Sequence, residues 1–84
     1  IVYVKSDNIY IEIKTKDDQN YIVRSTLNEY EEKLNANFLR VHRSYIINLS
    51  YLERIEHATL VLNANKVPIG VKYKKGLMTH INKG

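Results

Sequence analysis

The run Phe38-Leu39-Arg40-Val41-His42-Arg43-Ser44-Tyr45-Ile46-Ile47-Asn48-Leu49 gathers Arg, His, Arg and Ser just before an apolar stretch. Arginine presents a planar fork of donors that grips two acceptors at once, on a phosphate or on guanine O6 and N7. Arg43 reads as such a ligand-facing side chain. Strand alternation puts His42 on the opposite face, where a hydrogen-bonded structural role suits it. A second cationic cluster follows. Residues 57–84 hold Lys66, Lys72, Lys74, Lys75 and Lys83 and no acid, whereas residues 1–56 hold eight Lys/Arg and nine Asp/Glu. The window from Lys33 to Leu52 is also acid-free and contains Arg40 and Arg43. Uncompensated positive charge of this kind points to a polyanionic partner.

Other chemistries lack their residues. His42, His57 and His80 form no i,i+4 pair of the kind that grips zinc on a helix. Three glycines (Gly70, Gly76, Gly84) are too few and too scattered for a phosphate-cradling loop. Cysteine is absent, which removes disulfides, Cys-ligated zinc and a thiol nucleophile together. Ser44 has no nucleophile elbow around it, and Asp17-Asp18 suits a turn better than an acid–base pair. The expectation is a binding protein without cofactor or metal, and not an enzyme.

At 84 residues the chain suits one domain, with 44% hydrophobic and 26% charged residues in globular balance. No apolar run reaches the ~18 residues that a membrane span needs, and the first residues carry no secretory signal pattern. A reducing, cytoplasmic setting fits. The chain opens on Ile1 rather than Met, so residues 1–84 read as an N-terminally truncated piece of a longer protein.

The elements that position these residues read mainly as antiparallel β with one short α-helix. Ile1 to Val4 is an apolar strand, Lys5-Ser6-Asp7-Asn8 a loop, and Ile9, Ile11 and Ile13 alternate with polar partners as in a half-buried strand. Lys16 to Asn20 is a polar turn before the returning strand Tyr21 to Arg24. Thr26 with Glu29 forms a capping box, and Leu27, Tyr30 and Leu34 lie on one helical face. This helix is acidic (Glu29, Glu31, Glu32), so phosphate would repel it and it is not a recognition helix. Phe38–Val41 and Ser44–Leu49 read as strands, and Thr59–Leu62 with Lys66–Ile69 as a hairpin whose Pro68 marks an edge or an end. Beyond Val71, Tyr73, Leu77 and Ile81 have helical spacing that Gly76 interrupts.

Taken together, these motifs resemble the LytTR-type DNA-binding domain of bacterial response regulators. Phe38 to Asn48 is similar to that family's central Phe-x-Arg-x-His-Arg-Ser-Tyr-x-x-Asn core. Ile1–Val4 with Asn8-Ile9-Tyr10, Arg24–Leu27 with Leu34, and Val67-Pro68-Ile69-Gly70-Val71-Lys72-Tyr73 with Lys74–Leu77 follow in the family's order. The resemblance implies small antiparallel sheets with one helix between them, the family's first strands being absent before Ile1. It implies sequence-specific binding of promoter double-stranded DNA by loops entering major grooves, on repeated half-sites and as a possible homodimer, behind a receiver domain. Base contacts then fall to Arg43, to Asn8 with Asp7 and Tyr10, and to Val71, and phosphate contacts to Arg40, Lys72, Lys74 and Lys75. Val71 stands where the family often carries Arg after Ser. Valine can touch a thymine methyl but cannot take guanine O6 and N7, so either Val71 or Lys72 replaces that third contact. The rival reading is a protein-interaction module that adds a partner strand to the sheet edge near Lys66–Ile69.

Overall fold

Apolar–polar alternation marks the second strand, and the apolar runs on either side of it pair with it, in the computed structural model, which describes residues 1–82 and leaves Lys83 outside the described residues. Strands β1 (Tyr3–Asp7), β2 (Tyr10–Lys14) and β3 (Asn20–Arg24) form an antiparallel meander. The expected loop at Lys5–Asn8 shrinks to Asn8 and Ile9, because Lys5, Ser6 and Asp7 stay paired with Glu12, Ile11 and Tyr10. Asn8 makes this tight turn at φ 59, a left-handed conformation that Asn tolerates better than most residues.

Helix α1 (Leu27–Glu31) starts where the capping box places it, with the Thr26 hydroxyl accepting the Glu29 N–H at 3.1 Å. It stops earlier than the apolar spacing to Leu34 predicts. The N–H groups of Lys33 and Leu34 bond to Tyr30 and Glu31, three residues back, so the run tightens into turns. Leu34 still packs with Tyr30 on the same core.

Strands β4 (Phe38–His42) and β5 (Tyr45–Asn48) complete a five-stranded sheet in the order β3-β2-β1-β5-β4. A bulge interrupts the β4–β5 pairing between Arg40 and His42. After a 3-10 turn at Leu49–Tyr51, β6 (Leu52–Glu56), β7 (Thr59–Leu62) and β8 (Asn65–Pro68) form a second, three-stranded sheet. Strand β6 is the element that the sequence pattern does not reveal, since Glu53, Arg54 and Glu56 break its apolar signal. Pairing with β7 creates it. Arg54 donates to Glu56 at 2.7 Å on its surface, and this bond holds the Glu56 carboxyl below the usual carboxylate range. Pro68 ends β8, an edge strand, as a residue without an N–H must.

Each face of the five-stranded sheet carries a core. Val4, Ile11, Ile13 and Ile46 pack with Leu27 of α1 on one face. Val2, Val41 and Ile47 pack on the other with Leu60, Leu62 and Val67 of the second sheet. Strand β5 serves both cores, because adjacent Ile46 and Ile47 point in opposite directions and each is fully buried.

The tail, ambiguous by pattern, is helix α2 (Val71–Asn82), so the single short helix expected becomes two. Leu77 is buried against the second core, Tyr73 and Ile81 are half-buried, and α2 packs on β4. These anchors carry the helix through Gly76, where an added Cβ would meet nothing within 4 Å. Gly76→Ala should therefore stabilise the protein by roughly 0.5–1 kcal/mol, read as a rise in thermal midpoint. A fall would mean that the helix does not run unbroken through this position.

Candidate nucleic-acid interface

The bulge in β4 and the turn before β5 put Arg43 outside the sheet, with its side chain exposed. The backbone around it is held by side chains. Arg40, only 19% exposed, aims its guanidinium inward. Its Nε donates to the His42 carbonyl at 2.9 Å and its Nη2 to the Arg43 carbonyl at 2.6 Å. Its Nη1 donates to Asn28 Oδ1 at 3.0 Å and lies 3.5 Å from Glu31 Oε1, both on α1. His42 Nδ1 accepts the Ser44 N–H at 3.0 Å, and its ring meets Tyr45 edge-on. This bond requires Nδ1 without a proton, so the neutral ring carries its hydrogen on Nε2. His42 is thus a hydrogen-bonded structural residue.

Arg43 stands between two concavities. One, of about 200 Å³, is shared with Ser6 of β1, Asn8 of the first turn, Asn28 of α1 and Arg40. The other, of about 360 Å³, is shared with His42 and with Gly70, Val71, Lys72 and Tyr73 where α2 begins. Three segments far apart in sequence meet here: the β1–β2 turn, the β4–β5 turn with Arg43, and the start of α2. Asp7 and Tyr10 are cross-strand partners flanking the turn, both exposed. Val71 is 93% exposed, an unusual setting for valine in a free surface.

Gly70 fits this meeting point tightly. Its N–H bonds the Val41 carbonyl at 2.7 Å, and a Cβ there would lie 3.0 Å from the Tyr73 ring and 3.4 Å from His42 Cα. The first turn of α2 holds no acid, so the positive end of its helix dipole and Lys72 present positive potential together. Lys74 and Lys75 are exposed further along α2 and line neither concavity. Arg24 escapes a reading by pattern. It is exposed opposite Tyr10 and shares a third concavity with Asn8 and Ile9, and only the β2–β3 register reveals it. Among the described residues no group of His, Asp or Glu is placed to hold a metal ion, and no helix is long and apolar enough to cross a membrane.

Comparison with known proteins decides the family. The profile of the LytTr DNA-binding domain matches residues 1–82. The chain belongs to the LytTR family. It is similar to the sensory transduction protein LytT of Bacillus subtilis, 31% identical over 92% of this chain and 34% of that protein. The transcriptional regulatory protein LytR of Staphylococcus aureus is 31% identical over 76% of this chain and 29% of that protein. The LytTR chain thus spans about a third of the curated relatives it matches. A solved LytTr DNA-binding domain of a Bacillus cereus response regulator has the same fold, with a TM-score of 0.81 at 23% identity over 94% of this chain and 78% of that one. LytTR domains are a DNA-binding family rather than an enzyme class, and the mainly antiparallel β reading agrees with that fold.

Proposed function

We propose that this LytTR domain binds promoter double-stranded DNA sequence-specifically, as the output domain of a cytoplasmic two-component response regulator. The observation that carries this reading is the place of Arg43 between two concavities, one leading to Asn8 and the other to Val71 and Lys72. Arg43 takes guanine O6 and N7 through its fork. Asn8, Asp7 and Tyr10 face bases from the β1–β2 turn, and Val71 lies against a thymine methyl from the start of α2. Lys72, Lys74 and Lys75 neutralise phosphates, and Arg24 adds a cation beside the first turn. Phosphate contacts then supply much of the affinity and the few base contacts the selectivity. A receiver domain elsewhere in the full-length protein supplies the signal, and two copies on repeated half-sites extend the recognised sequence.

Replacing Lys72, Lys74 and Lys75 with Gln tests the electrostatic half of this proposal. If each neutralises one phosphate, the slope of log K against log salt should flatten by about 2.7, from ~0.9 per contact. Cognate and shuffled duplexes should weaken by similar factors. An unchanged slope in protein with an unchanged circular dichroism spectrum would place the DNA face away from α2. The edge-strand alternative predicts instead salt-insensitive binding of an extended peptide along β8.

A further inference from the structure

We infer that Arg40 is a positioning residue for Arg43, a strut between α1 and the base-contacting β4–β5 turn, rather than a phosphate ligand. The inference rests on the assignment of Arg43 to base contact. All three guanidinium nitrogens of Arg40 are engaged inside the domain, on the backbone carbonyls of His42 and Arg43 and on two side chains of α1. Gripping a phosphate would require giving up bonds of 2.6 to 3.0 Å from a side chain already turned away from solvent. The bonds to the turn are also well chosen. They hold the carbonyls of His42 and Arg43, while His42 Nδ1 holds the N–H of Ser44. Both peptide groups flanking Arg43 are thereby fixed by side chains, in the two-residue turn (Arg43, Ser44) that lies outside the β4–β5 ladder. A bidentate base contact needs this, because a fork displaced by about 1 Å no longer meets both acceptors. The fork geometry also explains why arginine stands here. It reaches two carbonyls and α1 at once, and the compact ammonium of lysine cannot.

The test is Arg40→Lys, which keeps the charge and removes the fork. The probes are a duplex selected from a random pool by the wild-type chain and a shuffled duplex of equal composition. Arg40→Lys should weaken the selected duplex about tenfold, within the range for losing one bidentate base contact. Shuffled-duplex affinity and salt slope should not change. Adding Arg43→Ala should produce little further loss, since both changes disable one contact. In the free protein, backbone order parameters at Arg43 and Ser44 should fall from about 0.85 toward about 0.6. Asn28→Ala, at an exposed position on α1, should give a weaker form of the same pattern and carries the test if Arg40→Lys unfolds.

Full retention of selected-duplex affinity by Arg40→Lys would overturn the inference. So would equal loss on both duplexes in Arg40→Ala with a slope reduced by about 0.9, the mark of a phosphate contact. If Arg43→Ala alone leaves the selected duplex unaffected, the base-contact assignment fails. The order parameters then still decide whether Arg40 braces the turn.

Discussion

Arg43→Ala is expected to weaken binding of a selected duplex by roughly 1–3 kcal/mol, about 5- to 150-fold, and to leave shuffled DNA nearly unaffected. The expectation follows from a side chain that makes no hydrogen bond or ion pair among the described residues while its backbone is clamped on both sides. Such a side chain is free to meet a ligand and is delivered to it in a fixed place. A solvated surface arginine would show neither the clamps nor the flanking concavities. Titration by fluorescence anisotropy at one stated salt concentration separates the cases. Loss of equal size on both duplexes would make Arg43 a phosphate contact and leave base reading to the β1–β2 turn and α2.

A larger effect, on stability, is expected at the centre of the sheet. Ile46→Ala and Ile47→Ala should each cost about 2–5 kcal/mol, the range for truncating a fully buried aliphatic side chain. Net stabilities of folded domains are only about 5–15 kcal/mol, so either change should remove a large fraction of this protein's stability. The two residues are neighbours in sequence yet belong to different cores, one under α1 and one under the second sheet. Their effects should therefore be similar in size, in urea midpoint at unchanged slope, although their surroundings differ. A cost below about 1 kcal/mol at Ile47 would mean that the second sheet does not pack on the first as described.

Most elements were legible because their signals are local. The period-two isoleucines, the Thr26–Glu29 cap and Pro68 at a strand end each act within a few residues. What escaped depends on partners distant in sequence. Strand β6 is charged on its own and exists through β7. Helix α2 crosses Gly76 because Leu77 is buried on a core assembled elsewhere. Lys5 to Asp7 carry turn-forming residues yet remain strand, because β2 offers them partners. The candidate site divides the same way. Residue types mark Arg43 and the lysines of α2, but the inward aim of Arg40 needs α1 beside it, and Arg24 is placed by register alone.

The strand order β3-β2-β1-β5-β4 also sets a timetable. Strand β1 lies in the middle of its sheet, and its second neighbour is β5, where Tyr3 is the register partner of Ile47. At about 5–20 residues per second on the ribosome, the inner edge of β1 waits roughly 2–9 seconds for that partner to be made. During that interval the β1–β2–β3 meander has a free edge, and Val2 still lacks Ile47 and the second sheet. The late pairing closes the longest loop in the sheet, which makes it the slow step by chain entropy and leaves β6–β8, joined by two-residue turns, to pair quickly. Newly made chains are thus most open to misassociation before β5 arrives, and a tightly held β1–β2 turn shortens what is left to search.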